Sequence, residues 1–278
     1  MLTRPVLVLS ALTALALTVT ACGGGAQEYA SVVDKAQGDK KLVIGVKADQ
    51  PGLGLRTPDG SFAGFDIEVA KYVAKELGVE AKDITFKETV SANREAFLQQ
   101  GQVDMVVATY SITDARKEKV SFAGPYFVAG QDLLVKADDT ALTGPEQLNG
   151  KKLCSVAGST PAQKVKESYA KEVQLQEERT YSACVDRVLG GQLDALTTDN
   201  VILAGYAAQH GGKLKVVGKP FSTEKYGVGL KKDDSKGRQA VNDALAKMFS
   251  DGSWQKALQA SVGASGFSVA QAPQLERY

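Results

Sequence analysis

Twice the chain leaves a helical pattern through the same four-residue step and enters an apolar strand. The step is Gly101-Gln102-Val103-Asp104 the first time and Gly191-Gln192-Leu193-Asp194 the second. One such step is an ordinary way to end a helix on glycine. Two of them, with matching elements on either side, predict two similar α/β lobes. Around them, residues 40 to 260 alternate strand-like and helix-like segments. Leu42 to Val46, Ile84 to Lys87, Val103 to Ala108, Lys152 to Val156, Leu193 to Thr197, Leu214 to Val217 and Val228 to Leu230 read as strands. Asp66 is the expected cap of a helix that Gly78 stops, and Asn93 to Gln100 is helical. Thr160 and Pro161 open another helix, Ser182 caps one reaching Leu189, and Ser235 to Phe249 is amphipathic. Residues 261 to 278 read as a loosely packed tail. In open α/β sheets, ligands bind beyond the carboxyl ends of strands. Thr109 to Ser111 and Thr198-Asp199 lie at such ends, so two facing lobes would present them to one cleft.

Charge narrows the function classes. The formal net charge is +1, and Arg4 lies in a segment expected to be removed. A formally neutral mature chain has no excess basic field for nucleic acid. His210 is the one histidine, so metal catalysis has little to work with, and no cofactor is expected. At the N-terminus, Arg4 precedes an apolar stretch from Val6 to Val19, the length of a signal-peptide core. Val19-Thr20-Ala21-Cys22 then resembles the bacterial lipobox, which implies cleavage before Cys22 and diacylglycerol on its sulfur. Glycines 23 to 25 begin an expected tether. Cys154 and Cys184 remain. Two cysteines in an exported chain point to a bridge, the alternative being two buried thiols.

The chemistry concentrates after the first strand of each step. Thr113 can cap a short helix whose first turns hold Arg116. A guanidinium there opposes the helix dipole unless it meets an anion, and it can grip a carboxylate with two parallel hydrogen bonds. An ordinary surface ion pair is the competing reading. Asp199 is either a ligand group or simply the cap of the helix that follows.

Gly64-Phe65-Asp66, Gln102-Val103-Asp104, Ser111-Ile112-Thr113-Asp114-Ala115-Arg116 and Ser121-Phe122-Ala123-Gly124-Pro125-Tyr126 occur in that order. This series resembles the family 3 extracytoplasmic solute-binding proteins of ABC importers. Gly158-Ser159-Thr160 and Thr198-Asp199 fall where the second-lobe motifs of that family fall. The resemblance implies a two-lobed α/β fold of the type II periplasmic-binding-protein kind, with two strand-like crossings. Its expected divisions are a signal peptide at 1–21, a lipidated tether at 22–39, lobe 1 at 40–126 plus 227–278, and lobe 2 at 131–221. The crossings fall at 127–130 and 222–226.

By the same resemblance, Arg116 holds the α-carboxylate of an amino acid, helped by N–H groups at Ser111 and Thr160. Asp199 pairs with the α-ammonium, helped by the Ser111 hydroxyl and the Thr109 carbonyl. Ser159 and Thr198 flank these positions. Ser91-Ala92-Asn93-Arg94 resembles the stretch by which glutamate- and aspartate-binding members reach a side-chain carboxylate. Lys47 stands where neutral or basic ligands often meet an acid. Lys47 and Arg94 are otherwise a solvated lysine and a helix-surface residue. If both face the cleft, a dianionic ligand fits and a basic one is repelled.

The expectation is therefore an outer-face lipoprotein, monomeric, binding glutamate or aspartate for an ABC permease with its ATPase, without catalysis. A glutamine binder is the alternative, and a dehydratase-type enzyme on the same fold a distant one. The stretch Gln50 to Leu55 lacks an aromatic, which leaves Tyr110 or Phe65 to cover the ligand.

Overall fold

The computed structural model describes residues 29–168, 172–267 and 271–278. Cys22 and the leader lie outside them. Lobe 1 begins with α1 (Val32–Asp39) and β1 (Leu42–Val46). A small antiparallel sheet follows, made of β2 (Asp49–Gln50), β3 (Gly54–Arg56) and β4 (Phe62–Ala63). Then come α2 (Phe65–Glu76), β5 (Ile84–Glu88), α3 (Arg94–Gln99), β6 (Met105–Val106), α4 (Asp114–Lys117) and β7 (Ser121–Ala129). Lobe 2 holds β8 (Gln131–Lys136), β9 (Lys152–Val156), α5 (Pro161–Ser168), β10 (Gln174–Glu178) and α6 (Tyr181–Leu189). It closes with β11 (Ala195–Asp199), α7 (Asn200–Gln209) and β12 (Leu214–Val216). The chain then returns to lobe 1 as β13 (Glu224–Leu230), α8 (Ser235–Ser250) and α9 (Ser253–Val262).

Each lobe is built on a five-stranded sheet, ordered β5-β1-β6-β13-β7 and β10-β9-β11-β8-β12. In both, three parallel strands are extended by two more through antiparallel pairings, so that β13 in one sheet and β8 in the other run against the remaining four. The repeated Gly-Gln-x-Asp step does the same work twice. Asp104 Oδ2 accepts from Val43 N–H and Asp194 Oδ2 from Lys152 N–H, each at 2.7 Å. Gly101 and Gly191 reach φ of +64° and +71°, a region open to glycine.

The lobes communicate through two crossings. Gly130 joins β7 to β8, and the segment between Val216 and Glu224 returns. β7 and β13 pair antiparallel there, with Ala129 opposite Glu224. A β-carbon on Gly130 would stand 2.6 Å from Pro220 Cβ, so the crossing needs a bare backbone. Asn200 fastens this point from lobe 2. Its N–H donates to Gly130 O at 2.8 Å, and its Oδ1 accepts from Gly130 N–H at 3.2 Å.

Beneath the lobe 1 sheet, Phe65, Phe127 and Trp254 pack with ring centroids 5.7 to 6.5 Å apart. Trp254 Nε1 donates to Tyr126 O at 2.8 Å, which satisfies its polar edge inside the core.

Several expectations are corrected. Residues 32–39 are a helix of lobe 1, not tether, because Val32, Val33 and Ala36 are buried and Asp34 pairs with Lys236. Asp66 lies inside α2 and caps nothing; its carboxylate accepts from Thr109 N–H at 2.7 Å and Tyr126 Oη–H at 2.8 Å. Thr180, not Ser182, caps α6, accepting from Ala183 N–H. The strand expected over Val103 to Ala108 shrinks to two residues, and β13 begins at Glu224. The tail is anchored: α9 runs to Val262, Glu276 N–H donates to Gly124 O at 3.0 Å, and Arg277 meets Asp243 at 2.8 Å.

Candidate functional site

The carboxyl ends of β6 and β11 and the N-terminal end of α5 converge on one cavity between the lobes. Ser91, Arg94, Thr109, Ser111 and Arg116 line it from lobe 1, and Ser159, Thr160, Pro161, Tyr181, Asp199 and Ile202 from lobe 2. Eight of the ten residues expected at a ligand site therefore meet there. Lys47 lines the adjoining cleft with Asp49, Glu88, Arg179 and Tyr181, and its Nζ donates to Ser91 Oγ at 2.7 Å. Thr198 is fully buried beside Asp199 in β11 and does not line the cavity.

Positive charge comes from lobe 1. Arg94 and Lys47 are 2% and 4% exposed, so neither is a surface cation. Burial, with Arg94 adding repulsion, pushes the Lys47 ammonium down to about 7. Burial also lowers the Arg94 guanidinium to about 10, and Arg116 reinforces the effect. Arg116 is oriented by Thr113, which caps α4 as expected. Its Nη1 donates to Ser111 O at 2.8 Å, its Nη2 to Gly158 O at 3.0 Å, and its Nε pairs with Glu95 at 3.3 Å. The hydrogen bonds to Ser111 O and Gly158 O use two of its five guanidinium N–H groups. Arg94 and Arg116 both sit over the Tyr110 ring, 4.3 and 5.1 Å from its centroid. Tyr110 thus carries the two cations from below.

Negative charge comes from lobe 2. Asp199 is 4% exposed. It stands at the cap position of α7 but makes no cap bond. Its Oδ2 accepts from Tyr226 Oη–H, and its Oδ1 has no hydrogen-bond partner among the described residues. Burial, with the nearby Glu224 carboxylate, pushes Asp199 up to about 7. Glu224 in turn accepts from Lys164 at 2.7 Å and from Ser222 at 2.8 Å. An orphaned carboxylate oxygen at such a depth needs a donor or a cation.

Thr109 carries the local strain of the site. Its φ of +43° is costly for a β-branched residue, and the bond from its N–H to Asp66 holds it. Neither aromatic considered as a ligand cover lies on the cavity. Tyr110 is beneath the arginines, and Phe65 is in the core against Trp254. Tyr181 is the aromatic that does line it. Tyr181, Glu95, Glu224 and Tyr226 went unread in the sequence because each has a partner far along the chain.

The lobes touch across this cavity. Gly158 O, from lobe 2, receives both arginines of lobe 1, Arg94 at 3.4 Å and Arg116 at 3.0 Å. Gly158 has φ of +77°, and a β-carbon on it would lie 2.5 Å from Ala92 Cα.

A cavity between two α/β lobes, cationic on one side and anionic on the other, suits a small zwitterion. Comparison with known proteins agrees. Residues 42–263 match the model of the bacterial extracellular solute-binding proteins, family 3. The chain belongs to that family. Among family relatives, the glutamate-binding protein GluB of Corynebacterium glutamicum is 47% identical, over 90% of this chain and 88% of its own length. The glutamine-binding protein GlnH of an ABC transporter in Bacillus subtilis is 41% identical, over 78% of this chain and 79% of its own. Among solved structures, an ancestral arginine-binding protein bound to glutamine superposes with a TM-score of 0.75 at 35% identity. That match covers 81% of this chain and 98% of the ancestral protein. The sequence-based expectation of a family 3, two-lobed α/β solute-binding protein working outside the cytoplasm therefore holds. Each of these relatives is a binding protein.

Cys154 and Cys184 are joined, with Cα atoms 5.7 Å apart. The bridge ties β9 to α6 within lobe 2.

Proposed function

We propose that this chain binds an acidic amino acid, L-glutamate above all, for an ABC importer. The observation that carries the reading is the facing of Arg116 and the half-partnered Asp199 across one cavity, with Arg94 and Lys47 adding positive charge beside Arg116. Two carboxylates and one ammonium match that distribution. Arg116 grips the α-carboxylate with its remaining N–H groups, helped by N–H groups at Ser111 and Thr160. Asp199 takes the α-ammonium, with the Ser111 hydroxyl and the Thr109 carbonyl. Ser91, Arg94 and Lys47 hold the side-chain carboxylate, and Ser159 contributes a hydroxyl from lobe 2. Thr198 supports Asp199 from within β11. A ligand touching both lobes favours the closed arrangement, which the permease with its ATPase then reads. The residues around Gly130 and between Val216 and Glu224 act as the hinge.

The chain works as a monomer on the outer face of the cell membrane, anchored by lipid on Cys22. Calorimetry of the mature chain with L-glutamate, L-aspartate and L-glutamine tests the ligand. Glutamine bound as tightly as glutamate would remove the argument from Lys47 and Arg94. Metabolic labelling with a fatty acid tests the anchor: wild type takes the label and Cys22→Ala does not.

One observation favours a second reading, an enzyme on this fold. The Asp199 carboxyl, raised by burial to about 7, is in the working range of a general acid or base. Turnover of a prephenate- or arogenate-type substrate would establish it.

A further inference from the structure

The lobe 2 side of the cavity carries an aromatic wall whose place is set by an acid of lobe 1. Tyr181 opens α6 and is 4% exposed. It lines the cavity of Arg116 and Asp199 and also the adjoining cleft of Lys47, so it borders both. Burial first, then the Asp199 charge, pushes its hydroxyl up to about 12, which keeps it a neutral donor at physiological pH.

The Tyr181 backbone N–H, however, is met from the other lobe. Asp49 Oδ2, from β2 of lobe 1, accepts from Tyr181 N–H at 2.8 Å, from Ser182 N–H at 3.2 Å and from Tyr206 Oη–H at 3.1 Å. The cap from within lobe 2, Thr180 Oγ1, serves Ala183 N–H alone. The opening N–H groups of a helix have no intrahelical partner, and its N-terminus favours an anion. Both needs of α6 are met by a carboxylate that comes from the other lobe. Beside this contact, a β-carbon on Gly205 of α7 would stand 2.4 Å from Pro51 O, so the two lobes are closely seated there as well.

We propose that Tyr181 is a specificity-determining residue, its ring limiting the room for the ligand side chain, and that Asp49 is the positioning residue that fastens this wall as the lobes close. The inference rests on the amino acid reading above. It makes the pocket incomplete in the open form. Selection by side-chain length therefore occurs at closure and not at first contact.

The test is calorimetry of the mature chain with L-glutamate and with L-2-aminoadipate, which is one methylene longer. Wild type should prefer glutamate. Tyr181→Ala should lose at least about tenfold in glutamate affinity and narrow the glutamate-to-aminoadipate ratio by a similar factor. Tyr181→Phe should keep the ratio, and circular dichroism with the melting temperature checks that both variants fold. Asp49→Ala should weaken both ligands several-fold and remove the ligand-induced protection of the Tyr181 and Ser182 amides from hydrogen exchange. Asp49→Asn, which keeps an acceptor, should restore part of each. A Tyr181→Ala protein with wild-type affinity and ratio overturns the wall, and an Asp49→Ala protein with unchanged affinity and protection overturns the latch. A wild type that binds neither ligand, nor any other amino acid, overturns the functional reading and this inference together. Because that outcome is read on the unmutated chain, the two failures are told apart.

Discussion

Asp104 and Asp194 hold matching places in lobes that otherwise bring opposite things to the cavity. Each accepts from an amide near the start of a parallel strand of its own sheet, Val43 of β1 and Lys152 of β9, at the same 2.7 Å. Around that shared frame, lobe 1 supplies Lys47, Arg94 and Arg116, while lobe 2 supplies Asp199 and the N-terminal end of α5. Lobe 1 carries its cations on a tyrosine ring and backbone carbonyls. Lobe 2 is stapled instead, by Cys154–Cys184 between β9 and α6. The lesson is that the scaffold repeats where it makes sheets and diverges at the strand ends, where the ligand would be met. A zwitterion needs both signs of charge, and one copy of the frame contributes each.

The comparison breaks most sharply at the charges. Arg116→Ala in lobe 1 and Asp199→Ala in lobe 2 should each cost at least about a hundredfold in affinity, since removing one partner of a desolvated charge pair costs about 2–5 kcal/mol. Calorimetry measures both, and a loss under threefold in either would remove that residue from the site. Next comes the staple. Replacing Cys154 and Cys184 by serine should destabilise lobe 2 by about 3–4 kcal/mol on the chain-entropy account of a loop with a 30-residue separation. Denaturant unfolding reads this, and a change within error would mean that the bridge adds nothing to the lobe. The paired aspartates sharpen the symmetry. Asp104→Ala and Asp194→Ala should each lose about 1.5–3 kcal/mol, the worth of a hydrogen bond to a charged group. Asp104 should lose somewhat more, because its removal also strands Lys35, now 2.8 Å away. Gly158→Ala should weaken binding about tenfold, because both its positive φ and its approach to Ala92 resist a side chain when the lobes are shut.

The smallest effect is in pH. Asp199 must be ionised to meet an ammonium, and its carboxyl sits near 7, so affinity should rise as pH rises toward 7. Lys47 must be protonated to meet a carboxylate, and its ammonium also sits near 7, so affinity should fall above that. The two limbs make a bell of up to about tenfold per pH unit on each side. Asp199→Asn should flatten the acid limb and Lys47→Gln the alkaline one. A monotonic profile in wild type would show that only one of the two groups is coupled to ligand.

Much of this was legible in the sequence, for local reasons. Helices α2 and α8 announce themselves by apolar spacing, and β1, β5 and β9 by short apolar or β-branched runs between breakers. Strand ends pointed to the neighbourhood of Arg116 and Asp199, and the family resemblance singled the two out. β7 hid because its residues are buried almost throughout, so it shows no alternation, and it contains a glycine and a proline. β10 hid for the opposite reason: Gln174 to Glu178 is a polar edge strand paired only to β9. The tail looked loose because its anchors, Gly124, Lys225 and Asp243, lie far back along the chain. Tyr181 and Asp49 were invisible for a stronger reason, since their contact exists only between lobes.

The bonds between Asn200 and Gly130 have a mechanical consequence. Asp199 is the neighbour of the residue pinned to the pivot, and Tyr226, which donates to it, lies on the returning strand beside that pivot. Points near an axle travel little when the arms swing. If Asp199 takes the ammonium as proposed, that grip would be nearly ready-made in either posture, and a passing amine would be berthed by its nitrogen before the rest of the vessel is enclosed.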